Sequence, residues 1–273
     1  MAPHDQLPLH RSVLFVPGNR PERFDKALAA GASAVIIDLE DAVAPADKPA
    51  ARAALAAWLR PEHAVIVRIN SQDTPWFDDD LALAAAPGVA AVMVPKAERA
   101  DTLAAVVGAG ARALLPLVES AAGLAGLSTL AAAPGVLRLA FGSIDLQVDL
   151  GLKDATEDEL LPFRLQLVLA SRLAGIGAPL DGVSTAIDDE ARLVLDVQRA
   201  RRLGFAGKLC IHPRQVAVVN QGLAPSAAEL DWARRVLAAA GSAAGAAVAV
   251  DGKMVDKPVL MRAEALLREA PSG

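Results

Sequence analysis

Short apolar runs, each followed by a turn and then a stretch rich in Ala and Leu, recur along the whole of this 273-residue sequence. The runs are 12–16 (SVLFV), 34–39 (AVIIDL), 64–69 (AVIVRI), 90–94 (AAVMV), 113–118 (ALLPLV), 136–141 (VLRLAF), 179–183 (PLDGV) and 208–211 (KLCI). They are continuous rather than alternating, as parallel strands covered on both faces must be. Between them, segments such as 21–30, 48–59, 99–107 and 190–203 space their apolar residues as helices do. Eight strands alternating with helices over this length predict an α/β protein of the (β/α)8 TIM-barrel type. The competing architecture is a doubly wound open sheet, but no GxGxxG follows the first run.

The chain continues beyond the eighth run. Residues 226–240 read as a helix with Ser226 as N-cap, 251–258 (DGKMVDKP) as a turn-containing loop, and 259–269 as a final helix. The expected division is a catalytic barrel over 1–222 and a C-terminal helical extension over 223–273. An extension this short is expected to pack on the barrel or on a neighbouring subunit rather than build a core of its own.

Composition narrows the partners. Hydrophobic residues make up 53%, which excludes disorder, while aromatics are 3% and Tyr is absent, so the core must be Ala, Val and Leu. The net charge of −5 argues against a nucleic-acid or anionic-membrane surface, though not against a local basic pocket. With Cys210 as the sole cysteine, neither an intrachain disulfide nor a multi-cysteine metal site is available. No secretory leader is read in MAPHDQLPLH and no apolar run suits a bilayer, so the expectation is a cytoplasmic protein.

Barrel chemistry lies at the C-terminal ends of strands. There the sequence gathers Asp38, Glu40, Asp41, Glu119 and Asp145 against Arg20, Arg68 and Lys96. Glu119 and Asp145 follow adjacent strands, so their carboxylates could share one ion, and two carboxylates with water and a chelating substrate is how Mg2+ is commonly held. Arg68 could pair bidentately with a carboxylate or an enolate. The structural alternatives are helix capping or ion pairing, and for Asp38, Glu40 and Asp41 they weigh as much as a functional role. His4, His10 and His63 read as surface residues, His212 as a turn residue or part of a ligand wall, and Cys210 as a small buried apolar group. Residues 78–80 (DDD) read as a solvated charge run in a loop.

In these same segments the sequence resembles the HpcH/HpaI aldolase and citrate lyase β-subunit family. The resemblance is carried by RSVLFVPGNRPERFDKAL (11–28), IIDLEDAV (36–43), VRIN (67–70), MVPKAE (93–98), PLVES (116–120), FGSIDLQVDLG (141–151), CIHPRQV (210–216) and the tail 251–267. It implies a (β/α)8 barrel with an added C-terminal element, assembled as a homotrimer or homohexamer. It further implies Glu119 and Asp145 as Mg2+ ligands and Arg68 as the group binding the keto-acid or enolate oxygen. Phe15, Arg20 and Lys26 would serve the coenzyme A arm and phosphates, with Ile144, Ile211 and His212 lining the same pocket. Asp256 matches an acid that a neighbouring subunit's tail contributes in several coenzyme A lyases. The implied reaction is Mg2+-dependent, reversible cleavage of a 3-hydroxyacyl-CoA such as malyl-CoA or citramalyl-CoA to acetyl-CoA and a small 2-oxo acid. Three rival readings remain: a citrate lyase β subunit acting on citryl-acyl carrier protein, a metal aldolase that does not use coenzyme A, and a non-catalytic acyl-CoA binder.

Overall fold

The computed structural model describes residues 11–242 and 248–270. Eight parallel strands close into a barrel in sequence order, with β8 returning to pair with β1. They are β1 (Ser12–Pro17), β2 (Ala34–Asp38), β3 (Val65–Arg68), β4 (Val89–Val94), β5 (Leu114–Val118), β6 (Arg138–Phe141), β7 (Gly177–Asp181) and β8 (Gly207–Cys210). The sequence expectation of a TIM-type barrel is therefore met. Closure leaves the barrel no exposed strand edge.

Helices follow the strands: α1 (Phe24–Leu28), α2 (Lys48–Trp58), α3 (Phe77–Leu81), α4 (Ala100–Gly108), α5 (Ala121–Ala125) and α6 (Leu127–Ala131) come before β6. After it come α7 (Ser143–Asp149), α8 (Leu161–Ala174), α9 (Glu190–Leu203) and α10 (Arg214–Leu223). The helix expected over 190–203 appears as α9, closed by Gly204 in the left-handed conformation, where a Cβ would be strained. No described helix is long and apolar enough to cross a membrane.

The barrel interior is filled by Val13, Ile36, Ile66, Met93, Leu115, Leu117 and Leu209 among others, one aliphatic side chain supplied by nearly every strand. This is the core that an aromatic-poor composition requires. Cys210 is wholly buried, and burial pushes its thiol up to about 12, so it acts as the small apolar residue expected.

The chain divides into two compact units, Met1–Asn220 and Gln221–Gly273. The second contains α11 (Ala227–Ser242), β9 (Val248–Val250), β10 (Lys253–Val255) and α12 (Lys257–Arg268), with Ala233, Val236, Ala263 and Leu266 buried together. Ser226 starts α11 as expected, in a capping box: its Oγ accepts from the Glu229 N–H at 3.2 Å while the Glu229 carboxylate accepts from the Ser226 N–H at 2.8 Å. The expected loop at 251–258 is instead mostly hairpin and helix. Val250 pairs with Lys253, leaving Asp251-Gly252 as a two-residue turn with φ of 52° and 72°. Asp-Gly is a preferred sequence for such a turn, so the expected turn is there, flanked by paired strands rather than loop.

A second correction concerns residues 78–80. They form part of α3, and Asp80 is buried. Its carboxylate accepts from Arg52 Nε at 2.6 Å and from the Asn70 backbone and side-chain N–H groups at 2.8 and 2.6 Å. A buried carboxylate survives because these donors replace the lost water. His4 and His10 lie outside the described residues, and His63 stacks on Trp58 with ring centroids 3.8 Å apart.

Candidate functional site at the barrel rim

The geometry of the site follows from strand register. In the β2–β3 ladder Asp38 is directly opposite Arg68, each the last residue of its strand. Arg68 Nε and Nη2 donate to the two Asp38 oxygens at 2.7 and 2.6 Å, a bidentate pair. Nη1 lies 2.9 Å from Glu40 Oε2 and 3.2 Å from Asp41 Oδ2. The guanidinium also lies 4.9 Å from the centre of the Phe15 ring on β1, within cation–π range. Burial disfavours a cation here, but the three carboxylates, Asp38 first, outweigh it and raise the Arg68 pKa. Asp38 in turn accepts the backbone N–H of Glu40 at 2.9 Å and of Ala42 at 3.1 Å, which folds the turn after β2 around its own carboxylate.

The edge of Arg68 that best matches a carboxylate is therefore already occupied by Asp38. A ligand oxygen at Nη1 would compete with Glu40 and Asp41.

Register also sets the second half of the site. Val118 pairs with Phe141 across β5 and β6, so the next residues, Glu119 and Gly142, run side by side. The Gly142 N–H donates to the Val118 carbonyl at 2.9 Å. A Cβ on Gly142 would fall 2.4 Å from Glu119 Cβ and 2.6 Å from Glu119 Oε2. The glycine is thus required for the carboxylate to lie flat against the end of β6. Glu119 Oε1 accepts the Lys96 N–H at 2.7 Å, an orientation that Lys96 achieves with a left-handed φ of 43°. Asp145 stands in the first turn of α7, three residues beyond Gly142.

Glu119 is buried, and burial pushes its pKa to about 8 against the Lys96 N–H, with the Asp145 charge adding to the rise. Glu40 is likewise pushed to about 8 by burial, opposed by Arg68. A buried carboxylate pushed up further by the charge of a second is one that a shared cation would satisfy. Among the described residues no cluster of three or more His, Cys, Asp or Glu side chains is placed to hold a metal. Glu119 and Asp145 therefore fit a hard divalent ion that takes the rest of its oxygen shell from water and ligand, as Mg2+ does, and not a thiolate- or imidazole-bound metal.

A cavity of about 380 Å3 opens between these groups. Of the sequence candidates it brings together Phe15, Arg68, Glu119, Ile144, Asp145 and Ile211. Arg20, Lys26 and His212 are not in its lining. Arg20 is paired with Glu22 at 2.7 Å, Lys26 is exposed on α1, and His212 Nδ1 accepts the Arg214 N–H at 3.2 Å in the turn after β8. Asp256 caps α12, accepting the Val259 N–H at 3.1 Å. Sequence reasoning did not single out Ser143, Val183 or Leu209, which also line the cavity, and left Asp38 and Asp41 undecided. The glycine directly after β6 was a readable signal that something packs closely there.

Comparison with known proteins gives the chain's family. The family described as HpcH/HpaI aldolase/citrate lyase matches residues 11–213. A "Citrate lyase subunit beta-like protein" of Deinococcus radiodurans is 39% identical, with 95% of this chain and 96% of that protein covered. A "(3S)-malyl-CoA thioesterase" of Cereibacter sphaeroides is 36% identical over 95% of this chain and 94% of its own length. Among solved structures, protein CitE of Mycobacterium tuberculosis in complex with magnesium, acetoacetate and coenzyme A superposes with a TM-score of 0.84. It is 41% identical, and the match covers 96% of this chain and 98% of that one. The chain belongs to the HpcH/HpaI aldolase/citrate lyase family of carbon–carbon lyases.

Proposed function

We propose that this protein is a Mg2+-dependent lyase that reversibly cleaves a 3-hydroxyacyl-CoA, of the malyl-CoA or citramalyl-CoA type, to acetyl-CoA and a 2-oxo acid. The observation that carries the reading is the joint presence of Glu119, Asp145 and Arg68 on one cavity wall. The CitE structures with magnesium and coenzyme A, or with magnesium and pyruvate, support the same choice of ligands.

A Mg2+ ion on Glu119 and Asp145 would supply Lewis acidity, lowering the pKa of the substrate hydroxyl that becomes the ketone. The chain's own residues do the rest. Once a base has accepted that hydroxyl proton, the O–H electron pair forms the ketone, the Cα–Cβ bond breaks, its electron pair passes to the thioester as an enolate, and the terminal nitrogens of Arg68 stabilise the developing charge. By the family resemblance, Asp256 of a neighbouring subunit's tail is assigned the proton transfer at the enolate carbon, donating in cleavage and accepting in condensation. Phe15, Leu117, Phe141, Val183 and Leu209 keep the cavity apolar, which strengthens these charge interactions.

The cavity also bears on the acyl group. Among the described residues lining it, Arg68 is the one cation, already paired, and four carboxylates face it: Asp38, Asp41, Glu119 and Asp145. A citryl group brings a second carboxylate with no counter-ion waiting, whereas malyl and citramalyl groups place a hydrogen or a methyl against the apolar wall. This favours the coenzyme A lyase over the citrate lyase subunit.

The test is a coupled assay of the purified protein with malyl-CoA and citramalyl-CoA, in Mg2+ and in EDTA. Release of glyoxylate or pyruvate together with acetyl-CoA, only with metal, is expected. Free CoA and malate without glyoxylate would mark a thioesterase, and turnover of citryl-acyl carrier protein alone would mark the subunit reading.

A further inference from the structure

Lys48 stands at the first position of α2, where the helix dipole disfavours a cation, and it is buried, where desolvation disfavours one again. Neither helix formation nor core packing explains a lysine there. Its ammonium instead donates to the carbonyl oxygens of Leu39 and Glu40, at 2.9 and 2.8 Å. These belong to the turn after β2 that carries Asp38, Glu40 and Asp41 to Arg68. The Trp76 ring covers the ammonium, its centre 5.0 Å from Nζ.

Resting on the lyase reading above, we propose that Lys48 is a positioning residue for Arg68: by gripping the backbone of this turn it holds the carboxylate clamp that sets the guanidinium. The mode of attachment matters. An ammonium bonded to Asp38 or Glu40 would draw their oxygens away from Arg68. Bonded to carbonyls behind them, it offsets the local excess of negative charge and leaves the carboxylates to the guanidinium. The same turn is tied at other points. Asn70 Nδ2 donates to the Leu39 carbonyl at 3.0 Å, the Leu39 N–H to the Arg68 carbonyl at 2.9 Å, and the Gly18 N–H to the Asp38 carbonyl at 2.7 Å. Lys48 is the member of this set that brings a charge, and it reaches two successive carbonyls at once. Without it, among the described residues, the Glu40 carbonyl keeps the Val43 N–H, at 3.0 Å.

The test compares wild type, Lys48→Met and Lys48→Arg. A displacement of the guanidinium on the ångström scale predicts a fall in kcat on the order of 30-fold for Lys48→Met, with KM for the thioester changed by less than about threefold. Lys48→Arg, which keeps the charge and a fork of donors, is expected to recover most of the loss and serves if Lys48→Met does not fold. In an Arg68→Lys background the Lys48→Met penalty should shrink to under about threefold, because the clamp no longer has its guanidinium. An undiminished penalty there, or wild-type kcat in folded Lys48→Met, overturns the proposal. Amide hydrogen exchange over 39–43 reads the turn without any assay. Faster exchange confined to this segment in the Lys48 variants supports the grip, and unchanged exchange overturns it. Faster exchange in the Lys48 variants, together with a wild-type protein that turns over no thioester, would instead retire the lyase reading while keeping the clamp.

Discussion

Asp38 faces Arg68 across the β2–β3 ladder, and Asp181 faces Lys208 across β7–β8. Both are acids buried directly opposite bases in the same barrel, yet their surroundings differ. Around Asp181 the cations outnumber the acids, four to three. Arg164 Nε donates to Asp181 at 2.8 Å, Lys208 Nζ lies 3.7 Å away, and Glu157 gathers Arg164, Arg199 and Arg192 at 2.7, 3.0 and 3.3 Å. Asp196 is held by the Ser184 hydroxyl at 2.6 Å and by Arg199 at 3.0 Å. Around Arg68 one guanidinium serves three carboxylates, and the nearby Lys48 goes to backbone. A network in which every acid has a cation beside it binds helices to the barrel. An acid-rich one is incomplete, and it opens on the cavity that fits a cation and a substrate.

The comparison is broken most directly at Glu119. Glu119→Gln is expected to lower metal-dependent turnover by about 1,000-fold or more, as loss of a ligand to the ion that carries the charge should. Its melting temperature without metal should not fall, because the buried acid is already disfavoured as an anion. Detectable Mg2+ binding by calorimetry together with retained turnover would remove Glu119 from the site. Asp181→Asn should do the reverse. Breaking one member of a buried, balanced pair costs about 3–5 kcal/mol of stability, read by urea unfolding, with kcat of the folded fraction little changed. A drop in kcat at unchanged stability would make the two regions alike.

Gly142→Ala tests the close approach at the end of β6. The added methyl has no room beside Glu119, so a cost of about 1–3 kcal/mol and weakened Mg2+ affinity are expected together. The pH dependence is subtler. Glu119 and Glu40 keep their protons to about pH 8 when folded, against an ordinary value of 4.5. Between those values the folded state binds more protons than the unfolded, so stability without metal falls as pH rises. Mg2+ should therefore raise the melting temperature more at pH 8 than at pH 5, and Glu119→Gln should shrink that difference. The smallest effect on stability is expected in the second unit. Asp256→Asn keeps the α12 cap, whereas Asp256→Ala loses about 1 kcal/mol of it. Comparing kcat in the two separates capping from the proton transfer assigned to Asp256.

Much of the barrel was legible because each strand carries its own signal. Apolar runs of four to six residues bounded by turns are local features, and the runs at 12–16 and 113–118 agree with β1 (Ser12–Pro17) and β5 (Leu114–Val118) to within one residue at each end. The hairpin at Asp251-Gly252 was missed although its turn chemistry is local, because its flanking strands are three residues each and carry little periodicity. Glu119, Asp145 and Arg68 could be nominated from their places after strands, for the barrel rule makes strand ends functional wherever they lie.

The sequence by itself determined the barrel, its aliphatic core and the residues on its rim, since these depend on patterns within a few residues of one another. Only the tertiary structure decided what those residues do to each other. That Asp38 takes the bidentate edge of Arg68, that Gly142 must lack a side chain beside Glu119, and that Lys48 reaches back to Leu39 and Glu40 all depend on register and crossing distance. Those are set when the ring of eight strands closes, and no single segment of the chain carries them.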